Sequence, residues 1–187
     1  MTITRASLAL FLTAGLLTAA PIGARADTPK DPPPTSEAHP LSLSVGIGGG
    51  YASIRPDNTD TLDREFVAVN LQIGWQLSPR WRIGMDVHGG VFAVEDDWLS
   101  INHIDLGVSL FPFAGFGAYL KAAMGLGYLN VTYSRTVVAL DLLGALGYEL
   151  RLAERYGIGI EASCGFIRFP DGIELDGAVA AVLTFHL

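Results

Sequence analysis

An all-β fold, an eight-stranded antiparallel up-and-down barrel that crosses a membrane with its strands, is predicted by three features of this sequence. From Leu41 onward, apolar residues alternate with polar or small ones at a period of two, the mark of strands whose faces meet different surroundings. Eight such segments follow one another, most of them roughly 9–14 residues long. A tilted membrane strand needs about 9–11 residues, whereas soluble strands run to about 5–6. The connections alternate between longer and shorter, which would gather them on opposite rims.

Before the barrel, residues 1–26 read as a cleavable signal peptide. Arg5 supplies a basic start, LALFLTAGLLTAA (8–20) is an apolar run too short to span a bilayer, and ARA (24–26) fits the small-x-small cleavage rule. An uncleaved anchor is the rival reading. No cysteine follows the apolar run, which argues against a lipid-anchored form. DTPKDPPPTSEAHP (27–40) holds five prolines and no apolar period; it reads as a periplasmic tether, extended or disordered. Residues 41–187 are the expected barrel.

The first strand sets Leu41, Leu43, Val45 and Ile47 against Ser42, Ser44, Gly46 and Gly48. In the second, Val67, Val69, Leu71, Ile73, Trp75 and Leu77 oppose Ala68, Asn70, Gln72, Gly74 and Gln76. The third, about 81–94, puts Trp81, Ile83, Met85, Val87 and Val91 on one face and Arg82, Asp86 and His88 on the other. The fourth opposes Ile104, Leu106, Val108 and Leu110 to His103, Asp105, Gly107 and Ser109. The fifth runs from Ala118 to Tyr128 with Tyr119 and Lys121 on its polar face, and the sixth from Val138 to Leu150 with Asp141 and Glu149 there and Leu143 out of pattern. The seventh, Tyr156 to Phe166, has Glu161 on the minor face; the last, to Leu187, has Thr184 and His186 there and Val182 out of pattern. Two or three membrane helices across 105–150 are the rival reading, opposed by Lys121, Asp141, the glycines and the lack of a 3.6-residue period.

The longer connections are placed at 54–65, 95–100, 129–136 and 170–175, the shorter at 78–80, 111–115 and 151–155. The longer ones hold Asp57, Asp60, Asp63, Glu65, Glu95, Asp96, Asp97, Asp171 and Glu174. These are solvated loop charges or, alternatively, bridges through divalent cations to an anionic leaflet; no metal or cofactor motif is present. Trp75, Trp81, Phe113, Phe116, Tyr148 and Tyr156 near the short turns, and Tyr51, Tyr128 and Tyr133 toward the other rim, suit interfacial aromatic girdles.

The apolar faces are wide and continuous, so they are expected to point outward, with small and ionisable residues filling a narrow lumen. The expected lumen network is Asn70, Gln72, Arg82, Asp86, His88, His103, Asp105, Lys121, Asp141, Glu149 and Glu161. Folding about 78–80 sets Arg82 opposite Gln76, Asp86 opposite Gln72 and His88 opposite Asn70; folding about 111–115 sets Asp105 opposite Lys121. Acids outnumber bases, so a partly wet lumen is expected. Pairing His88 with Asp86, or His103 with Asp105, invites a catalytic triad, with Ser109 or Ser163 as nucleophile, but neither serine sits in a nucleophile elbow. The His-x-Ser-Asn signature of lipid A deacylases, which use similar barrels, is absent, since GGV follows His88 and IDL follows His103. By parity, Cys164 falls on the outer face and matches no metal or disulfide motif.

Half the residues are hydrophobic and 17% are charged, against about 25% in soluble domains. Cleavage after Ala26 removes Arg5 and Arg25 and no acid, taking the net charge from −7 to −9, which disfavours nucleic acid as a partner. With the signal peptide, the eight segments, the alternating connections and the alternating end AVLTFHL (181–187), the chain resembles the small outer-membrane β-barrel family, the group of the transmembrane part of outer-membrane protein A and its porin-like relatives. The resemblance covers 41–187. It departs at Leu187, where members usually end in an aromatic residue, and at Val182, where a glycine is usual. It implies outer-membrane lipids, lipopolysaccharide and the outer-membrane assembly machinery as partners. The function expected is a structural or surface-interaction barrel with a mostly plugged lumen and exposed acidic loops. A small pore and a membrane-embedded lipid-modifying enzyme are the alternatives.

Overall fold

The computed structural model describes residues 40–57, 60–94, 97–113, 115–131 and 136–187. The signal peptide, the tether up to His39, and Glu95, Asp96 and Tyr133 lie outside the described residues. Eight strands, β1 (Leu41–Pro56), β2 (Leu62–Ser78), β3 (Trp81–Val94), β4 (Asp97–Leu110), β5 (Ala118–Val131), β6 (Thr136–Ala153), β7 (Tyr156–Phe169) and β8 (Gly172–His186), follow in sequence order around a closed antiparallel barrel. β8 returns to β1 from Ser42↔His186 to Pro56↔Gly172, so no strand edge is left unpaired. β4, β5 and β6 occupy the stretch for which helices were the rival reading.

Parity places the apolar faces outward. Val67, Val69, Leu71, Ile73, Trp75 and Leu77 are all exposed along β2, and Val138, Leu140, Leu142, Leu146, Tyr148 and Leu150 along β6. An eleven-residue run such as Val67–Leu77, tilted as barrel strands are, gives an apolar belt about 24 Å tall, the height of a bilayer's hydrocarbon. Exposed aromatics mark its near rim, where Phe116 meets Tyr148 edge-on at 5.6 Å and Tyr156 meets Phe185 at 5.6 Å.

Above the belt the pattern inverts. The outward positions of the far third are Ser53, Arg55, Asp63, Glu65, Ser100, Asn102, Asn130, Thr136 and Arg168. Asn102 and Asn130 both donate to Ser100 Oγ, at 3.2 and 3.4 Å. The inward positions become apolar: Ala52, Ile54, Phe66, Phe92, Leu99, Ile101, Ile167 and Phe169 form a single buried cluster. A surface that meets water needs its apolar side chains inside, so the far third is built like a soluble barrel and the middle like a membrane one.

This inversion corrects the expected connections. Much of 54–65, 97–100, 129–131 and 172–175 is strand, and the far-rim connections shrink to 57–61, 95–96, 132–135 and 170–171. The near-rim connection expected to be compact, 111–115, extends over 111–117 and is the longest. There Gly115 and Gly117 take positive φ of 81° and 79°, which L side chains adopt at a cost. Glu149 N–H donates to Gly117 O at 2.9 Å, fastening that turn to β6. The length alternation is therefore absent; charged residues on the far strands had the composition of loops while keeping the period of strands.

The apolar cluster is tightly fitted. A Cβ at position 90 would lie 2.0 Å from the Phe66 ring, so Gly90→Ala is expected to force that ring aside and lower stability by about 1–3 kcal/mol, read from denaturant unfolding in lipid.

Candidate functional site: the lumen network

The eleven expected network residues all project into the lumen from β2 to β7. The registers Gln76↔Arg82, Gln72↔Asp86 and Asn70↔His88 are those the β2–β3 turn implied. The β4–β5 register is not: Lys121 stands opposite Ser109, and Asp105 opposite Gly125. Leu110 pairs with Leu120 rather than with Phe116, as a turn over 111–115 would have it, so the pairing is shifted by four residues.

Two layers result. In the lower layer each charge is answered. Lys121 Nζ reaches Asp86 Oδ1 at 2.7 Å and Glu161 Oε1 at 3.0 Å. Tyr119 donates to Glu161 Oε2 at 2.7 Å, and Gln72 to Asp86 Oδ2 at 3.5 Å. Arg82 pairs with Glu149 at 3.4 Å, donates to Gln76 Oε1 at 3.2 Å and lies 4.9 Å over the Phe111 ring. Glu149 also holds His186 Nε2 at 2.8 Å. These pairs join β2, β3, β5, β6, β7 and β8 across the lumen. Buried ions demand such partners because desolvation is otherwise uncompensated.

The upper layer, between this network and the apolar cluster, holds His88, His103, Asp105, Asp141, Glu174 and Asp176. His103 and His88 are stacked with ring centroids 4.1 Å apart. His103 Nδ1 lies 2.7 Å from Asp141 Oδ2, and its Nε2 3.7 Å from Asp176 Oδ2. His88 Nδ1 is 3.6 Å from Asp105 Oδ2. Among the described residues no lysine or arginine forms an ion pair with these four carboxylates. The triads imagined from the sequence do not form: Asp86 serves Lys121 and not His88, while His103 takes Asp141 from β6 rather than Asp105 on its own strand. Ser109 stands opposite Arg82 and Lys121, and Ser163 opposite Ala145 and Ala178.

Tyr119, Glu174, Asp176 and His186 join the lumen network although they lay outside the expected eleven, and so does Gln76. Glu174, expected in a loop, is completely buried. Continuing the β8 alternation backward from Ala180 through Ala178 reaches Asp176 and Glu174 on the same face, and that signal was legible. Leu143, out of pattern in β6, also faces inward and is buried, leaving Gly144 outside. Among the described residues, the two clearest spaces in the lumen measure about 20 and 10 Å³, room for about one water each.

No protein-family model matches this chain, and no curated protein matches it. Among solved structures it is similar to Ail, the attachment invasion locus protein of Yersinia pestis, with a TM-score of 0.60 and 14% identity over 77% of this chain and 98% of that one. It is also similar to Neisserial surface protein A, with a TM-score of 0.57 and 11% identity over 78% and 97%. At such identities the likeness is one of fold, and the fold is that of the small eight-stranded outer-membrane β-barrels.

Proposed function

We propose that this chain is an integral protein of the bacterial outer membrane whose lumen is closed by its own side chains, with a structural or surface-interaction role. The observation that carries the reading is the two-layer lumen under an apolar cluster, in which the clearest spaces among the described residues measure about 20 and 10 Å³. A conducting path would need a continuous wet channel, and the cross-lumen pairs of Lys121 and Arg82 interrupt one. The apolar belt supports the membrane setting, and the fold of the solved neighbours supports the outer membrane in particular. Export by the signal peptide and delivery to the assembly machinery through the alternating C-terminal strand complete the route.

The far rim then meets the medium and the headgroups of lipopolysaccharide. It carries exposed acids, Asp57, Asp60, Asp63, Glu65 and Asp171, beside Arg55, Arg64 and Arg168, a mixed surface suited to polar partners. In this reading no residue is catalytic, and the lumen histidines serve the carboxylates of Asp105, Asp141, Asp176 and Glu149.

In planar bilayers the purified protein is expected to be silent at high concentration; steady channel currents would overturn the closed lumen in favour of the pore. The membrane setting has its own test. Leu106 is 70% exposed at the middle of the β4 outer face, so Leu106→Arg is expected to cost about 2–4 kcal/mol in lipid vesicles. Unchanged stability of the variant in vesicles would remove that face from the hydrocarbon.

A further inference from the structure

The upper lumen layer poses a charge problem that the ion pairs do not solve. Asp105, Asp141, Glu174 and Asp176 are buried together, with His88 and His103 as their titratable neighbours and the apolar cluster above them. Below, Lys121 is committed to Asp86 and Glu161. Both oxygens of Glu174 and Nε2 of His103 have no hydrogen-bond partner, although both side chains are completely buried. Buried charges are stable when paired or when they coordinate a metal.

We propose that this layer is a binding site for one divalent transition-metal ion, held by His103 Nε2, Glu174 and Asp176 and oriented by Asp141. One ligand atom from each of His103, Glu174 and Asp176 lies within 4.8 Å of the others, close enough for small side-chain rotations to bring all three onto one small cation. His103 Nδ1 is 2.7 Å from Asp141 Oδ2. A proton on Nδ1, donated to that carboxylate, leaves the Nε2 lone pair aimed at the two acids from β8. This carboxylate–histidine–metal relay is how metal-ligating imidazoles are generally held. Gly165 makes the approach possible, since a Cβ there would lie 2.0 Å from Asp176 Oδ1 and 3.4 Å from His103 Cε1.

The donor set selects the class of ion. One imidazole with two carboxylates suits Zn²⁺ and its first-row neighbours better than Mg²⁺ or Ca²⁺, which favour oxygen alone. The ion offsets the charges of Glu174 and Asp176, Asp141 accepts from His103, and Asp105 Oδ2 lies 3.6 Å from His88 Nδ1. The apolar cluster seals the layer from the far rim, so the ion enters as the strands close and is retained afterwards. The site depends on the closed barrel and not on whether the protein is silent or conducting in a bilayer.

The full chain is refolded into detergent micelles with Zn²⁺, or with Co²⁺ as a coloured substitute, and passed over a chelating resin. Metal content is measured on protein whose heat-modifiable gel mobility shows a closed barrel. One ion per barrel, with a visible Co²⁺ absorption band, is expected. His103→Gln and Glu174→Gln, close in size to the residues they replace, should each weaken retention at least tenfold. Asp141→Asn should weaken it about ten- to a hundredfold by freeing the ring. Cys164→Ser, on the outer face, should change nothing. A folded barrel that retains no metal overturns the proposal, as does retention unaltered in the His103 and Glu174 variants.

Discussion

Lys121→Met is expected to destabilise the barrel by about 3–5 kcal/mol, because it removes one partner of a buried ion group and leaves the other charges uncompensated. Lys121 is the shared partner of Asp86 and Glu161, and all three side chains are nearly inaccessible to solvent. Tyr119 and Gln72 remain as donors to the two acids, but neither carries charge. Reversible urea unfolding in lipid vesicles, followed by tryptophan fluorescence, measures the effect. Adding Asp86→Asn and Glu161→Gln to the same chain should restore most of the loss, since uncharged partners of similar shape no longer need the ammonium. A single variant within about 1 kcal/mol of the parent would mean that the layer is wet enough to screen these charges.

Phe66→Ala is expected to cost about 3–5 kcal/mol, the usual price of a large cavity in a packed core. Phe66 is at the heart of the apolar cluster, and its ring fills the space that Gly50 and Gly90 leave open on the two neighbouring strands. The same variant tests what closes the lumen. With the Lys121 and Arg82 pairs still across the lumen, the variant is expected to stay silent in a planar bilayer. Unchanged stability would show that the cluster is not a packed core.

The period-two pattern made the middle of the barrel legible. Trp81, Ile83, Met85 and Val91 lie outward and Arg82, Asp86 and His88 inward, because adjacent side chains on a strand point to opposite faces whatever the fold around them. The β2–β3 register was equally legible: the tight turn at Pro79 and Arg80, with the one-residue irregularity between Gln76 and Ser78, gives the same pairing as a turn over 78–80. Glu174 and Asp176 were readable by extending the β8 alternation, but their charge gave them the look of a loop. The far third was misread for the same reason: Arg55, Asp63 and Glu65 suggested loops, although Ile54 and Phe66 kept the beat of strands.

Alternation within each segment, a local property of the chain, by itself determined that this protein is all-β, which side chains share a face, and that the apolar face is the wider one. Only the tertiary structure decided which charges meet. Lys121 finds Asp86 from β3 and Glu161 from β7, and His103 finds Asp141 from β6 and Asp176 from β8. These partners are brought together by the closure of the barrel and by the register of a seven-residue connection. Both set distances across the lumen, which no spacing along a single strand encodes.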